Sequence, residues 1–227
     1  MKNLFLTIIA LVTGSIAFAQ NCDSYFPMKE GAKMQYETKD NKDRSVSTLE
    51  YFIKKIENTR DGQVATIQAT VTEGKKKNKH TQDFRAICKG GVLSIDYESL
   101  MPSQVTENFK DLDFTMDGKN MEWPSNLKVG ETLPDAQMVM TLSMGGMNME
   151  MSVEITNRKI EKKETITTPA GSFDCFLVSH NTKTKTMGTT LDSSTKQWIS
   201  KDLGMIKTED YSKGKLESTV ILTAYSK

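Results

Sequence analysis

The stretch Met138-Val139-Met140-Thr141-Leu142-Ser143-Met144 alternates apolar and polar side chains. Gly145-Gly146 follows, and Met147-Asn148-Met149-Glu150-Met151-Ser152-Val153 then alternates again. Two glycines between two alternating runs specify a β-hairpin with a two-residue turn, because both turn positions need positive φ. That turn sets the register: Met144 opposes Met147, Leu142 opposes Met149, Met140 opposes Met151 and Met138 opposes Val153. Directly opposed residues share a sheet face. The hairpin therefore carries one sulfur-rich apolar face, while Val139, Thr141, Ser143, Asn148, Glu150, Ser152 and Glu154 take the other.

The methionine face has three readings. It is ordinary core, or the wall of an apolar cavity, or a soft-metal site built from thioethers. Buried methionines contribute roughly 1.5–3 kcal/mol each to a core. Methionine is also flexible and polarizable, so a surface made of it adapts to varied apolar ligands. Thioethers suit Cu(I), but no His, Cys or Trp stands inside the hairpin to complete a copper site. Met138, Met140, Leu142, Met144, Met147, Met149 and Met151 are the ligand-facing candidates, and no metal is expected.

The N-terminus supplies an address. Met1-Lys2-Asn3 is basic, Leu4 to Val12 is apolar, and Ala17-Phe18-Ala19 offers small residues at the cleavage positions. These are the parts of a secretory signal peptide. Residues 1–19 are expected to be removed, leaving Gln20 first and the chain in the periplasm or secreted. The apolar core is too short for a membrane anchor and is broken by Thr13, Gly14 and Ser15. Cys22 is poorly placed for lipidation, since Ala19-Gln20-Asn21 is a weak lipobox. No later segment is long and apolar enough to span a bilayer as a helix. With 30 basic against 29 acidic residues, charge gives no support for nucleic-acid binding.

Three cysteines, Cys22, Cys88 and Cys175, meet an oxidising compartment after export, so one disulfide and one thiol are expected. Sequence leaves all three pairings open. Cys22 with Cys88 is the favoured pair, because Cys175 lies in the apolar run Phe173 to Val178, where cysteine often serves as a small buried hydrophobe.

Period-two alternation continues through most of the chain. Ala65, Ile67, Ala69 and Val71 face one way and Thr66, Gln68 and Thr70 the other. Glycine turns recur at Asp61-Gly62, Gly90-Gly91 and Lys213-Gly214. About twelve short alternating runs read as an antiparallel all-β protein. The stretch from Glu98 to Pro134 holds three prolines and is the least regular, with a short helix expected around Ser103 to Lys110. No linker divides the chain, so residues 20–227 form one all-β domain. A sheet of this many strands must curl or close, giving a curved sheet in an open or half barrel. An outer-membrane barrel fits poorly, because the outward faces are rich in Lys, Glu and Thr.

Several motifs carry a wider likeness. They are Tyr25-Phe26-Pro27-Met28-Lys29-Glu30-Gly31, Pro124 to Gly130, Thr167-Thr168-Pro169-Ala170-Gly171-Ser172-Phe173-Asp174-Cys175-Phe176, Gln197-Trp198-Ile199-Ser200 and Asp202 to Lys207. In this order they resemble an exported bacterial family, domain of unknown function 3108 and its relatives. The resemblance implies an antiparallel sheet curved into an open barrel, similar in shape to periplasmic lipoprotein carriers. It implies hydrophobic-ligand binding by analogy of shape alone and carries over no catalytic residue.

The residues themselves hold little reactive chemistry. His180 lies five positions after Cys175, so on a regular strand the two point to opposite faces, which disfavours a Cys-His pair. His80 ends the basic run Lys75 to Lys79, read as a solvated loop. Asp113, Thr115 and Asp117 imitate the start of a calcium loop, but its twelfth position is Pro124, where that loop needs Glu; Asp117-Gly118 reads as a turn instead. No catalytic residue and no cofactor is expected. The reading is a non-enzymatic module that binds a hydrophobic or amphiphilic partner, an acyl chain or a lipoprotein, in the concave side of the sheet. The alternative is an envelope interaction module with a fully filled core and no ligand cavity.

Overall fold

The computed structural model describes residues 25–60, 62–74, 78–100, 113–144, 147–186 and 188–226. Thirteen strands form one sheet. They are β1 (Lys33–Asp40), β2 (Ser45–Thr59), β3 (Gly62–Glu73), β4 (Asn78–Lys89), β5 (Val92–Ile95), β6 (Asp113–Lys119), β7 (Met121–Pro124), β8 (Ala136–Met144), β9 (Met147–Thr168), β10 (Gly171–Thr186), β11 (Thr189–Ser200), β12 (Gly204–Ser212) and β13 (Lys215–Ser226). Their spatial order is β6-β8-β9-β10-β11-β12-β13-β1-β2-β3-β4-β5-β7. The sheet's two end strands, β6 and β7, are separated in sequence by Asn120 alone. The sheet must therefore bring its ends together, and it curls into a barrel with one unsealed seam.

The expected hairpin register is observed. Met144 pairs with Met147, Leu142 with Met149, Met140 with Met151 and Met138 with Val153. The turn residues Gly145 and Gly146 lie outside the described residues, as does the helix expected around 103–110. Gly90 and Gly91 turn β4 into β5 with φ of 59° and 79°, the left-handed values that a two-glycine turn permits. Two local readings change. Asp117-Gly118 is not a turn but lies inside β6, where a Cβ on Gly118 would collide with the Gln137 carbonyl of β8. Glycine serves there for close strand approach. The irregular stretch 98–134 contains both end strands: β6, where Asp117-Gly118 imitates a turn, and β7, which has four residues and ends at Pro124.

One buried cluster forms the core: Met34, Tyr36, Ile53, Ile67, Ala86 and Leu93 from β1–β5 join Ile160, Val178, Ile199, Ile206 and Leu222 from β9–β13. The segment before β1 helps to seal it. Gly31 donates to the Ile53 carbonyl and Ile53 donates to the Ala32 carbonyl, each at 2.9 Å. Tyr25 then meets Phe176 edge-on at 5.9 Å. Among the described residues, no helix is long and apolar enough to cross a membrane.

Candidate functional site

An apolar cavity of about 350 Å³ lies in the concave side of the sheet, near the lower end of the range for small-molecule pockets. Strand register explains its lining. Tyr36 stands opposite Leu49, Tyr51 opposite Ala69, and Leu93 opposite Trp123. Opposed residues share a face, so each pair sends both side chains inward. Phe84, Ile95 and Met121 extend this wall, and Ile199 and Met205 face it from β11 and β12. Tyr25 and Phe26 line it from the segment before β1. Gly204 lets that segment lie close, since a Cβ there would stand 2.9 Å from the Tyr25 carbonyl oxygen.

The aromatic wall is ordered. Tyr36 and Tyr51 meet edge-to-face at 5.6 Å, and Tyr51 and Phe84 at 5.5 Å. Such pairs contribute about 0.5–1.5 kcal/mol each beyond burial, so the rings hold a defined surface. Burial drives both phenols, Tyr36 and Tyr51, above the usual tyrosine range. They stay neutral and present the cavity with no charge.

A polar belt borders the cavity on the same sheet face. Thr195 stands two positions before Gln197, which lines the cavity. His180 opposes Thr195, Thr195 opposes Asp210, and Asp210 opposes Ser218. The Thr195 and Ser218 hydroxyls donate to the Asp210 carboxylate at 2.8 and 3.0 Å. Opposite His180, β9 makes a bulge, with Asn157 at a φ of 54°. The bulge turns Arg158 inward, where it is buried. Burial first, and the nearby Arg158 charge second, push His180 down to about 4. His180 is therefore neutral near pH 7, and its Nδ1 has no partner.

The methionine face lies past this belt. Ile155, Val153 and Met151 oppose Thr182, Thr184 and Thr186, which continue the face of His180. Leu142 is buried, Met138, Met140 and Met149 are half-buried, and Met151 is 39% exposed. The side chains of Met144 and Met147 lie outside the described residues. Phe114 and Met116 of β6 oppose Leu142 and Met140 and widen the apolar strip. None of the described side chains of this strip lines the cavity. The structure brings the candidates together on the concave face, but beside the cavity rather than around it. Tyr36, Tyr51 and Phe84 each take an inward position in the period-two pattern of their own strands, which marks a buried face in the sequence without marking a void.

The cysteines separate as well. Cys88 is disulfide-bonded, whereas Cys175 is a free, buried thiol. Cys22, the expected partner of Cys88, lies outside the described residues. No group of three His, Cys, Asp or Glu side chains suited to a metal occurs among the described residues. Two larger open cavities, of about 400 and 520 Å³, gather around Tyr211; polar side chains line both, and the larger takes in His180 and Thr195 of the belt. They suit water better than an apolar ligand.

Comparison with known proteins matches this geometry to a family. The family model described as DUF3108-like matches residues 29–222. A protein from Bacteroides fragilis, assigned as exported and with a YmcC-like fold, superposes with a TM-score of 0.71 at 19% identity. A protein from Parabacteroides distasonis, assigned as a lipoprotein, superposes with a TM-score of 0.72 at 24% identity. Each alignment covers 91% of this chain and 100% of the other. No curated protein matches the chain.

Proposed function

The chain belongs to the DUF3108-like family, and on that premise we propose that it is an exported, non-enzymatic carrier of a hydrophobic or amphiphilic molecule. The apolar part of the ligand, an acyl chain or the lipid of a lipoprotein, occupies the aromatic cavity. The methionine strip of β8 and β9 receives the part that extends past the polar belt. Cleavage after Ala19 releases the protein into the periplasm or the medium.

The observation that carries this reading is the cavity of about 350 Å³ walled by Tyr36, Tyr51, Phe84 and Trp123. Protein interiors are close-packed, and a cavity of this size leaves apolar side-chain surface that the protein itself does not cover. An apolar ligand covers it. Burying its surface gains roughly 25 cal/mol per Å² before the losses of association. The half-buried methionines suit the same role, because a flexible thioether surface accommodates chains of differing shape.

Native mass spectrometry of protein purified from its envelope fraction tests the reading. The expected result is a bound mass of a few hundred daltons or more that solvent extraction removes and identifies as lipid. Protein that emerges without bound mass, and takes up none from lipid vesicles, would favour a module that acts through its edges and loops.

A further inference from the structure

Arg158 is only 1% exposed, yet carbonyls and a ring hold it in place of a carboxylate. Its Nη1 donates to the Pro134 carbonyl at 2.7 Å and its Nη2 to the Glu122 carbonyl at 2.9 Å. The guanidinium lies 4.6 Å from the centre of the Trp123 ring. Its Nε has no partner. Asp135 and Glu122 act on it only through space, and burial lowers it to about 10.

These contacts meet at one place in the fold. β7, which carries Glu122 and Trp123, is hydrogen-bonded to β5. β8 is hydrogen-bonded to β6 and β9. β7 and β6 are the two ends of the sheet, so no backbone ladder joins β7 to β8 or β9. The approach to β8 stays with β9, since Leu133 donates to the Arg158 carbonyl at 2.8 Å. The Arg158 side chain reaches from that side to the β7 carbonyl and ring just described. On its other side, β7 presents Met121 and Trp123 to the cavity.

The chemistry of this closure differs from that of a core. Charge-assisted hydrogen bonds and a cation–π contact hold it shut. A guanidinium taken out of water without a carboxylate has lost hydration that its partners only partly replace. Separating β7 from Pro134 breaks the bond to Glu122 and the Trp123 contact, leaves the bond to Pro134, and returns the charge to water. The closed and open arrangements are thereby brought close in free energy, which a purely apolar seal would not do.

We propose that the seam between β7 and the 133–136 approach to β8 is the portal by which the ligand reaches the cavity, with Arg158 as its latch. This rests on the carrier reading above. Two variants test it. Arg158→Met keeps the bulk and removes every donor; Arg158→Lys keeps the charge but cannot fork to two carbonyls. Stopped-flow mixing with N-phenyl-1-naphthylamine, a neutral apolar dye, gives association and dissociation rates separately. Loss of one charge-assisted hydrogen bond predicts that both rates rise roughly tenfold in Arg158→Met, while Kd moves less than threefold. Arg158→Lys falls between. An unchanged association rate would overturn the latch, and a Kd that rises through dissociation alone would make Arg158 a wall residue.

A second readout needs no ligand. In a Trp198→Phe background, acrylamide quenching reports on Trp123 alone. The latch predicts faster quenching in both Arg158 variants at unchanged circular dichroism; equal quenching would contradict it. Should the wild-type protein bind no dye, the carrier reading falls and the quenching result alone decides whether Arg158 closes the seam.

Discussion

Burial decides the behaviour of two side chains that a sequence would nominate for reactivity, Cys175 and His180. Burial, with the Asp174 and Glu164 charges, pushes the Cys175 thiol up to about 12. The thiolate is the reactive form, so Cys175 is expected to resist iodoacetamide at pH 8 in the folded protein. Mass spectrometry after alkylation should find no modified thiol in native protein, one after unfolding without reduction, and three after reduction, if Cys22 pairs with Cys88. Three modified thiols without reduction would exclude the pairing. His180 titrates near 4 when folded, against 6.5 when unfolded. The unfolded chain binds more protons between those values, so stability is complete above pH 6.5 and falls as pH drops toward 4. Replacing His180 by Asn should remove about 1–3 kcal/mol of the stability lost between pH 7 and 4.5, read as the difference between two urea titrations. Arg158 was not legible at this scale. It sits in the polar run Thr156-Asn157-Arg158-Lys159, which looks solvated, and only the bulge at Asn157 turns it inward.

At the level of elements, the methionine hairpin was fully legible in its register, because two glycines and strict alternation leave one pairing that buries a whole face. Its place in the molecule was not, since alternation identifies a face without saying what covers it. Strand β3 was legible from its alternation, and β10 in its apolar start, Phe173 to Val178. The short end strands β6 and β7 were not, and Gly118 looked like a turn residue because its role depends on the Gln137 carbonyl of another strand. Gly62 poses a similar case. Its φ is 152°, and a Cβ there would collide with the Cys88 carbonyl. Gly62→Ala should therefore lose about 1–3 kcal/mol, seen as a lower urea midpoint. A midpoint equal to that of the wild type would show that the β3 and β4 backbones can part at that point without loss.

For the whole molecule, curvature was expected from strand number, and the near closure follows from one residue, Asn120, linking the two ends of the sheet. Closure leaves a single face inward, which collects the aromatic wall, the belt from Arg158 to Ser218 and the methionine strip. Alternation alone could not reveal the cavity, because the same pattern serves a filled core; the void lies between the wall of β1–β5 and β7 and the side chains Gln197, Ile199 and Met205 of β11 and β12. The belt divides the inner face into two apolar zones, which fits an amphiphile better than a uniformly greasy ligand. The measurement that tests this most directly is a titration of the wild-type protein and its Ala69→Phe variant with N-phenyl-1-naphthylamine. Ala69 lines the cavity and is nearly buried, so the added ring occupies the space assigned to ligand. One saturable equivalent in the wild type, lost in a folded Ala69→Phe variant, is the predicted result; binding that survives the filled cavity unchanged, or no binding by the wild type, would contradict it.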